Sequence, residues 1–172
     1  MLLKTERLIL RSPKNADIPD YLAICNSEFV LRYNAMSVAT EEKVKKVFYE
    51  AKQAGNMLMI ELATTGALVG VICIEDDSIR WNVGSKELSY FLGEQYIHNG
   101  YMREAMAELI RYLFDVKNVA CITARAFVHN QSSRKLLETL GFSLDGVIPH
   151  CVRGYGGVIY DDALYSIFPS NK

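Results

Sequence analysis

The segment Leu88–Ala105 restricts the possible folds more than any other part of the chain. Its first residues have strand character, a polar loop containing Gly100 follows, and an amphipathic helix over 102–116 begins directly afterwards. The unpaired N–H groups of a helix start and the helix dipole both favour a bound anion such as phosphate. Gly100 would let a ligand approach the backbone closely. The segment predicts either a phosphate site or an ordinary strand-to-helix turn.

A phosphate site here would not be one of the common nucleotide-binding types. No G-x-G-x-x-G motif follows the strand, so the dinucleotide-binding fingerprint is absent. The G-x-x-x-x-G-K-[ST] motif of P-loop proteins is also absent. The loop is therefore an anion site of another kind, or none.

Hydrophobic periodicity predicts alternating strands and helices. Thr40 as N-cap and Gly55 after the last turn bound one helix, whose apolar residues 44, 47, 48 and 51 share a face. Hairpins followed by strand–helix–strand–helix–strand predict an α/β (α+β) fold with a mixed central sheet. About seven strands are predicted, at 7–11, 57–63, 68–74, 87–92, 121–128, 142–148 and 158–168. About four helices are predicted, at 17–25, 40–54, 102–116 and 132–140.

Composition narrows the classes of function. The 172 residues fit one domain, 1–172, and 19 basic against 20 acidic residues give a net charge of −1, so no nucleic-acid partner is expected. No apolar run approaches the roughly 18 residues of a membrane span, and the charged start does not resemble a secretory signal. Four widely spaced cysteines in apolar stretches predict reduced core residues, a cytoplasmic protein and no metal site.

A second informative segment runs from Ala126 to Phe142. A predicted strand ends at Asn130, 30 residues after Gly100, and a short helix follows. Taken alone, Asn130 would be a helix N-cap and Ser133 a solvated serine in the first turn. The two segments together, in this order, are more specific than either one.

These motifs are similar to those of the GCN5-related N-acetyltransferase (GNAT) superfamily, in particular its ribosomal-protein N-terminal acetyltransferases of the RimJ/RimL type. The resemblance covers nearly the whole chain. Lys4–Arg11 resembles the T-E-R-L-x-L-R opening of that branch, and Asn99–Ala105 resembles its pyrophosphate loop. Asn130–Ser133 and Leu140–Phe142 match its N-x-x-S and L-G-F motifs. Residues 145–147 and 157–161 resemble its E-G and G-x-x-x-D pieces.

The resemblance implies the GNAT fold, with a mostly antiparallel sheet, and an acyltransferase. Such an enzyme moves an acetyl group from acetyl-coenzyme A to a primary amine by direct attack on the thioester, without a metal. The branch implies a protein N-terminal amine as acceptor. A small-molecule acceptor of the polyamine or antibiotic type is an alternative. A silent acyl-coenzyme A-binding module is another, because Ile97 and Met102 depart from the usual loop residues.

The resemblance also implies roles for individual residues. The strand edge at Phe91 and Leu92 would bind the pantetheine arm and the thioester oxygen, and Asn130 would hydrogen-bond the pantetheine. Ser133 would donate a proton to the leaving thiolate. Glu87 would relay the amine's proton, or would be a solvated or ion-paired glutamate. The pyrophosphate would be held by His98, Asn99, Gly100, Tyr101, Met102 and Arg103.

The surroundings of this site give four further expectations. Glu75–Asp77 would add a negative field near the amine entry, or form a polar loop. Asp161 would be structural or would line the substrate site. Tyr90 and Tyr165 are expected to pack in the core. The strand 158–168 is expected at an edge of the sheet, where it would pair with a second copy of the chain in a homodimer.

Overall fold

The computed structural model describes residues 1–169, and the last three residues of the predicted domain lie outside that range. The eight strands of this part of the chain are β1 (Leu2–Lys4), β2 (Leu8–Arg11), β3 (Met57–Leu62), β4 (Leu68–Asp76), β5 (Ser85–Leu92), β6 (Cys121–Phe127), β7 (Ser143–Arg153) and β8 (Ile159–Ile167). Its five α-helices are α1 (Ile18–Cys25), α2 (Glu28–Tyr33), α3 (Glu41–Ala54), α4 (Tyr101–Asp115) and α5 (Gln131–Thr139). Short 3₁₀ turns lie at Asn15–Asp17, Glu94–Tyr96 and Tyr155–Gly157.

The strands form one sheet in the order β1-β2-β3-β4-β5-β6-β8-β7. Every neighbouring pair is antiparallel except β5 and β6, which run parallel. The antiparallel pairs β3–β4 and β7–β8 are joined by short connections, whereas the parallel β5–β6 pair requires a crossover that contains α4. The predicted mixed, mostly antiparallel α/β fold is confirmed.

The last strand in the sheet order is not the one that the sequence predicts at an edge. β8 lies between β6 and β7, so 158–168 is not an edge, and that expectation was wrong. The edge strand next to β8 is β7, which carries Pro149 and a register shift between Ile148 and Val152. Proline and bulges are features that interrupt pairing at an exposed edge.

Two helical layers cover the sheet, because successive side chains of a strand point to opposite faces. Leu58 and Ile60 of β3 pack in a core with the buried face of α4 and with Leu137 of α5. Met57 and Met59 of the same strand pack in a second core with residues of α1, α2 and α3. The sheet is thus buried on both sides.

Local signals account for α3 almost completely. The Thr40 side chain accepts a hydrogen bond from the Lys43 N–H at 3.4 Å, and Gly55 ends the helix in the left-handed region with φ 65°. Val44, Phe48 and Ala51 are buried as expected. Val47 is 41% exposed, so its assignment to the buried face was wrong. The apolar stripe of α3 is narrower than the sequence suggested.

β1 and α2 account for the strand and the helix beyond the predicted counts. β1 has only three residues and α2 only six, too few for a period to be visible in the sequence. α2 begins at a local signal nonetheless, since the Ser27 hydroxyl accepts a hydrogen bond from the Val30 N–H. Among residues 1–169, no helix is both long enough and apolar enough to cross a bilayer.

A buried ion-pair group fastens the turn before α1 to the sheet. Arg11 of β2 donates two hydrogen bonds of 2.8 Å to the Asp17 carboxylate and one of 2.6 Å to Glu61 of β3. The Lys14 N–H also donates to Asp17 at 2.7 Å. Burial opposes ionisation of Asp17, but the Arg11 and Lys14 donors outweigh it and lower its pKa. The charge on Asp17 therefore stabilises the fold.

Candidate functional site

The site begins where β5 and β6 separate. Their parallel pairing runs from Ser85–Cys121 to Leu88–Ala124 and stops there, although β5 continues to Leu92. The part of β5 beyond Leu88 pairs on its other side with β4, as far as Gly70–Leu92. A gap therefore opens in the middle of the sheet, with a strand edge exposed along one wall.

The loop that follows β5 has the backbone shape expected of an anion site. His98 and Gly100 both lie in the left-handed region, with φ 62° and 77°. α4 starts directly after Gly100 and has no side-chain cap. The N–H groups of Tyr101, Met102 and Arg103, in the first turn, therefore have no acceptor within the helix. Because the helix dipole adds positive potential there, the loop is suited to phosphate.

The opening segment of the chain braces this loop. Arg7 donates to Oε2 of Glu104 at 2.7 Å and to the Asn99 carbonyl at 3.1 Å, and its guanidinium lies 4.8 Å from the centre of the Tyr101 ring. Thr5 donates to Oε1 of Glu104 at 2.5 Å. Partial burial opposes ionisation of Glu104, but these donors outweigh it and lower its pKa. The T-E-R-L motif alone does not predict this contact, because Glu104 lies 97 positions from Arg7.

One cavity of about 760 Å³ joins the strand gap to the loop. Volumes of about 300–1,000 Å³ are typical of small-molecule sites. Nine of the predicted site residues line it, namely Phe91, Leu92, His98, Gly100, Tyr101, Met102, Arg103, Asn130 and Ser133. Two predicted residues, Glu87 and Asn99, do not line it. Met102 is buried beneath the loop, so its side chain belongs to the core as well as to the cavity wall.

Asn130 and Ser133 are held together at the start of α5. The Asn130 side-chain carbonyl accepts a hydrogen bond from the Ser133 N–H at 3.1 Å, so Asn130 is the N-cap of α5. Since a cap uses only the amide oxygen, the side-chain NH₂ group of Asn130 keeps its donors for another partner. The helix cap and the proposed pantetheine contact are therefore compatible.

Tyr90 adds a polar contact that the sequence analysis missed. Its hydroxyl lies 2.9 Å from the Ser133 hydroxyl, across the gap from β5 to α5. Burial raises the pKa of Tyr90 to about 12, so the phenol keeps its proton at neutral pH. Tyr90 packs against the core, as expected, but it is only half-buried and also lines the cavity. The two residues are 43 positions apart, so no local pattern could reveal the pair.

Glu87 lies in an ion-pair group beside the cavity. Its carboxylate accepts a hydrogen bond of 2.9 Å from Nε of Arg125, which does line the cavity. A second carboxylate, Asp162, lies 3.8 Å from Nη1 of Arg125. Asp162 is buried, and burial raises its pKa. Glu87 is thus ion-paired in the structure, and its role as a proton relay stays a prediction.

Three further acidic residues have cation or backbone partners, namely Asp76, Asp77 and Asp161. Asp76 pairs with Lys86, and Asp77 pairs with Arg80 at 3.2 Å. These pairs weaken the negative field expected from Glu75–Asp77. Asp161 accepts a hydrogen bond of 2.8 Å from the His150 N–H within the irregular part of β7. Asp161 therefore has a structural contact, in agreement with one of its two predicted roles.

Aromatic rings stack around His129. The His129 ring lies 4.6 Å from that of Tyr160, 5.6 Å from that of Phe127 and 5.7 Å from that of Tyr33. Tyr33 comes from α2 and also lines the cavity. The stack joins α2 to β6 and β8.

Comparison with known proteins agrees with this architecture. Residues 7–143 match the family model described as "Acetyltransferase (GNAT) domain". The chain belongs to the GNAT acetyltransferase family. It is 28% identical over 173 residues to the uncharacterised N-acetyltransferase YoaA of Bacillus subtilis, with 96% of each chain covered. This GNAT protein is accordingly an enzyme of the N-acetyltransferase type that uses acetyl-coenzyme A.

Solved structures with the same fold have different acceptors in their names. The ribosomal-protein-S5-alanine acetyltransferase of Vibrio fischeri superposes with a TM-score of 0.86 at 19% identity, covering 99% of this GNAT chain and 98% of that one. The spermidine N-acetyltransferase of Vibrio cholerae, in complex with coenzyme A and spermine, superposes with a TM-score of 0.83 at 17% identity, covering 95% and 96%. The shared fold therefore leaves the acceptor open.

Proposed function

We propose that this GNAT enzyme acetylates the N-terminal amine of a protein, with acetyl-coenzyme A as donor. The observation that carries the proposal is the parting of β5 and β6 into a cavity that contains both the α4 start and the Tyr90–Ser133 pair. Such a cavity can hold a phosphate-bearing donor and an acceptor side by side. The sequence motifs shared with the ribosomal-protein N-terminal acetyltransferases, from the T-E-R-L opening to N-x-x-S and L-G-F, support the choice of a protein acceptor.

The cavity fits acetyl-coenzyme A by the chemistry of its walls. The first-turn N–H groups of α4 and the Arg103 side chain are donors for a pyrophosphate. The exposed edge of β5 at Phe91 and Leu92 is suited to pairing with the amides of an extended pantetheine arm, and Asn130 is suited to hydrogen-bond that arm. Bound there, acetyl-coenzyme A would supply a thioester, whose carbonyl carbon is the electrophile.

The residues around the gap would contribute four effects. The walls would hold the two substrates in contact, which lowers the entropic part of the barrier. A backbone N–H of Phe91 or Leu92 would stabilise negative charge on the thioester oxygen. Ser133 would donate its hydroxyl proton to the leaving sulfur, and Tyr90 would donate its own to Ser133. Glu87 would draw the acceptor's ammonium group towards the gap and accept a proton through water.

A thiol-release assay tests the proposal. With acetyl-coenzyme A, a peptide with a free N-terminus should release coenzyme A thiol faster than spermidine does, and the same peptide with a blocked N-terminus should release none. Ser133→Ala and Asn130→Ala should both lower the rate. If spermidine is acetylated faster than the peptide, the enzyme is a small-amine acetyltransferase instead. If calorimetry shows that acetyl-coenzyme A binds, but no amine causes release of its thiol, the protein is a silent binding module instead.

A further inference from the structure

Arg125 places a guanidinium in the wall of the cavity, at the point where the sheet divides. It is the residue directly after Ala124, the last residue of β6 that pairs with β5. Its side chain is 34% exposed, so a molecule in the cavity can reach it. None of the sequence motifs pointed to this residue.

The guanidinium is fixed on one side and open on the other. Nε donates to Glu87 at 2.9 Å, while Asp162 lies 3.8 Å from Nη1, beyond hydrogen-bond distance. An arginine has five N–H donors. In the part of the chain that the structure describes, four of the five have no acceptor. Arg125 is thus held in place and still able to bind an oxygen atom.

Arg125 and Glu87 together complement one kind of acceptor. A polyamine or simple alkylamine has only N–H donors and positive charge, which a guanidinium cannot bind and repels. An α-aminoacyl group carries an ammonium and, on the adjacent carbon, a carbonyl oxygen. The guanidinium, held in place by Glu87, suits the carbonyl oxygen, so the Arg125–Glu87 pair favours α-aminoacyl acceptors over polyamines and alkylamines.

We propose that Arg125 is a specificity-determining residue that binds the carbonyl oxygen of an α-aminoacyl acceptor, while Glu87, outside the cavity wall, holds the guanidinium in place. The proposal rests on the proposed function, because it concerns the acceptor of the same acetyl transfer. The required chemistry occurs both at the N-terminus of a peptide and in a free amino acid. Tyr33, the member of the aromatic stack that lines the cavity, would border the acceptor's remaining atoms.

The test compares two acceptors that differ mainly in the carbonyl group. Alaninamide and isopropylamine both carry the amine on a carbon that bears a methyl group, but only alaninamide has a carbonyl on the adjacent carbon. We expect Arg125→Met to reduce the ratio of their kcat/KM values by about tenfold or more, since hydrogen bonds to charged groups are strong. Comparing the ratio between variants cancels the different basicities of the two amines. Arg125→Lys, which keeps the charge but loses the planar fork, should give an intermediate ratio.

Matched controls separate the outcomes. Arg111→Met removes an exposed arginine of α4 that pairs with Glu108, and it should leave the ratio unchanged. An unchanged ratio in Arg125→Met, or a higher kcat/KM for spermidine than for every aminoacyl acceptor, overturns the inference. Faster acetylation of free alanine than of an alanyl peptide supports the inference but contradicts a protein acceptor. No thiol release from any amine overturns the proposed function and this inference with it.

Discussion

The Tyr90–Ser133 hydrogen bond gives a quantitative prediction. If Tyr90 donates a hydrogen bond to Ser133 while the thiolate forms, the transition state contains this neutral hydrogen bond, whose length is 2.9 Å in the structure. Tyr90→Phe removes it. Such a bond contributes about 0.5–1.5 kcal/mol, and about 1.36 kcal/mol corresponds to a tenfold change in rate. We therefore expect kcat to fall roughly two- to tenfold. Ser133→Ala removes a donor to a developing charge, about 1.5–3 kcal/mol, and should lower kcat by roughly ten- to 150-fold.

A double-mutant cycle distinguishes this arrangement from a merely structural contact. Because Tyr90 is proposed to act through Ser133, Tyr90→Phe should slow the wild type but have little further effect in Ser133→Ala. The assay is initial-rate thiol release at saturating acetyl-coenzyme A, with unfolding temperatures measured for all variants. Tyr165→Phe is the matched control, since that phenol is buried and hydrogen-bonded to Arg134 and Glu138 instead. Rate reductions that multiply in the double variant, or an unchanged kcat in Tyr90→Phe, would refute the reasoning.

Three further predictions concern the scaffold of the site. In Gly70→Ala the new Cβ would clash with the Phe91 carbonyl oxygen, so β5 must shift. We expect a loss of about 1–3 kcal/mol in the free energy of unfolding and a raised KM for acetyl-coenzyme A. Glu104→Gln removes the charge that anchors Arg7, and the Kd for acetyl-coenzyme A, measured by calorimetry, should rise several-fold while the unfolding temperature changes little. The pKa of Asp17 is lowered in the folded protein from its ordinary 3.8, so its contribution to stability is present above that pH and is lost as the pH falls below it. The unfolding free energy should therefore decrease less on acidification in Asp17→Asn than in the wild type, and an equal decrease would contradict this assignment.

The parts of the fold that sequence predicts are those with local causes. Thr40 and Gly55 bound α3 because capping involves only residues a few positions away. The order of the strands has no such local signal. β8 is last in the chain but inserts between β6 and β7, and nothing within 158–168 distinguishes an interior strand from an edge. The error about the edge therefore follows from non-local pairing.

The same distinction applies to the site. The loop around Gly100 was predictable, because a positive φ and a helix start are properties of a short segment. The pairs Tyr90–Ser133 and Glu87–Arg125 join residues 43 and 38 positions apart. Their partners are set by the register between strands and by the placement of α5. For this reason the resemblance to a family indicated Ser133 and Glu87 but not the residues that hold them.

The parting of β5 and β6 has a consequence for the cohesion of the molecule. Within residues 1–169, the strand pairing between the two halves of the sheet comprises four residue pairs, from Ser85–Cys121 to Leu88–Ala124. A molecule that lies in the gap touches both halves. Because it binds only when both halves are folded together, it would raise the free energy of unfolding. At 100 times its Kd, such a ligand adds about 2.7 kcal/mol to the free energy of unfolding. The resistance of this enzyme to heat and proteolysis should therefore follow the supply of its acetyl donor.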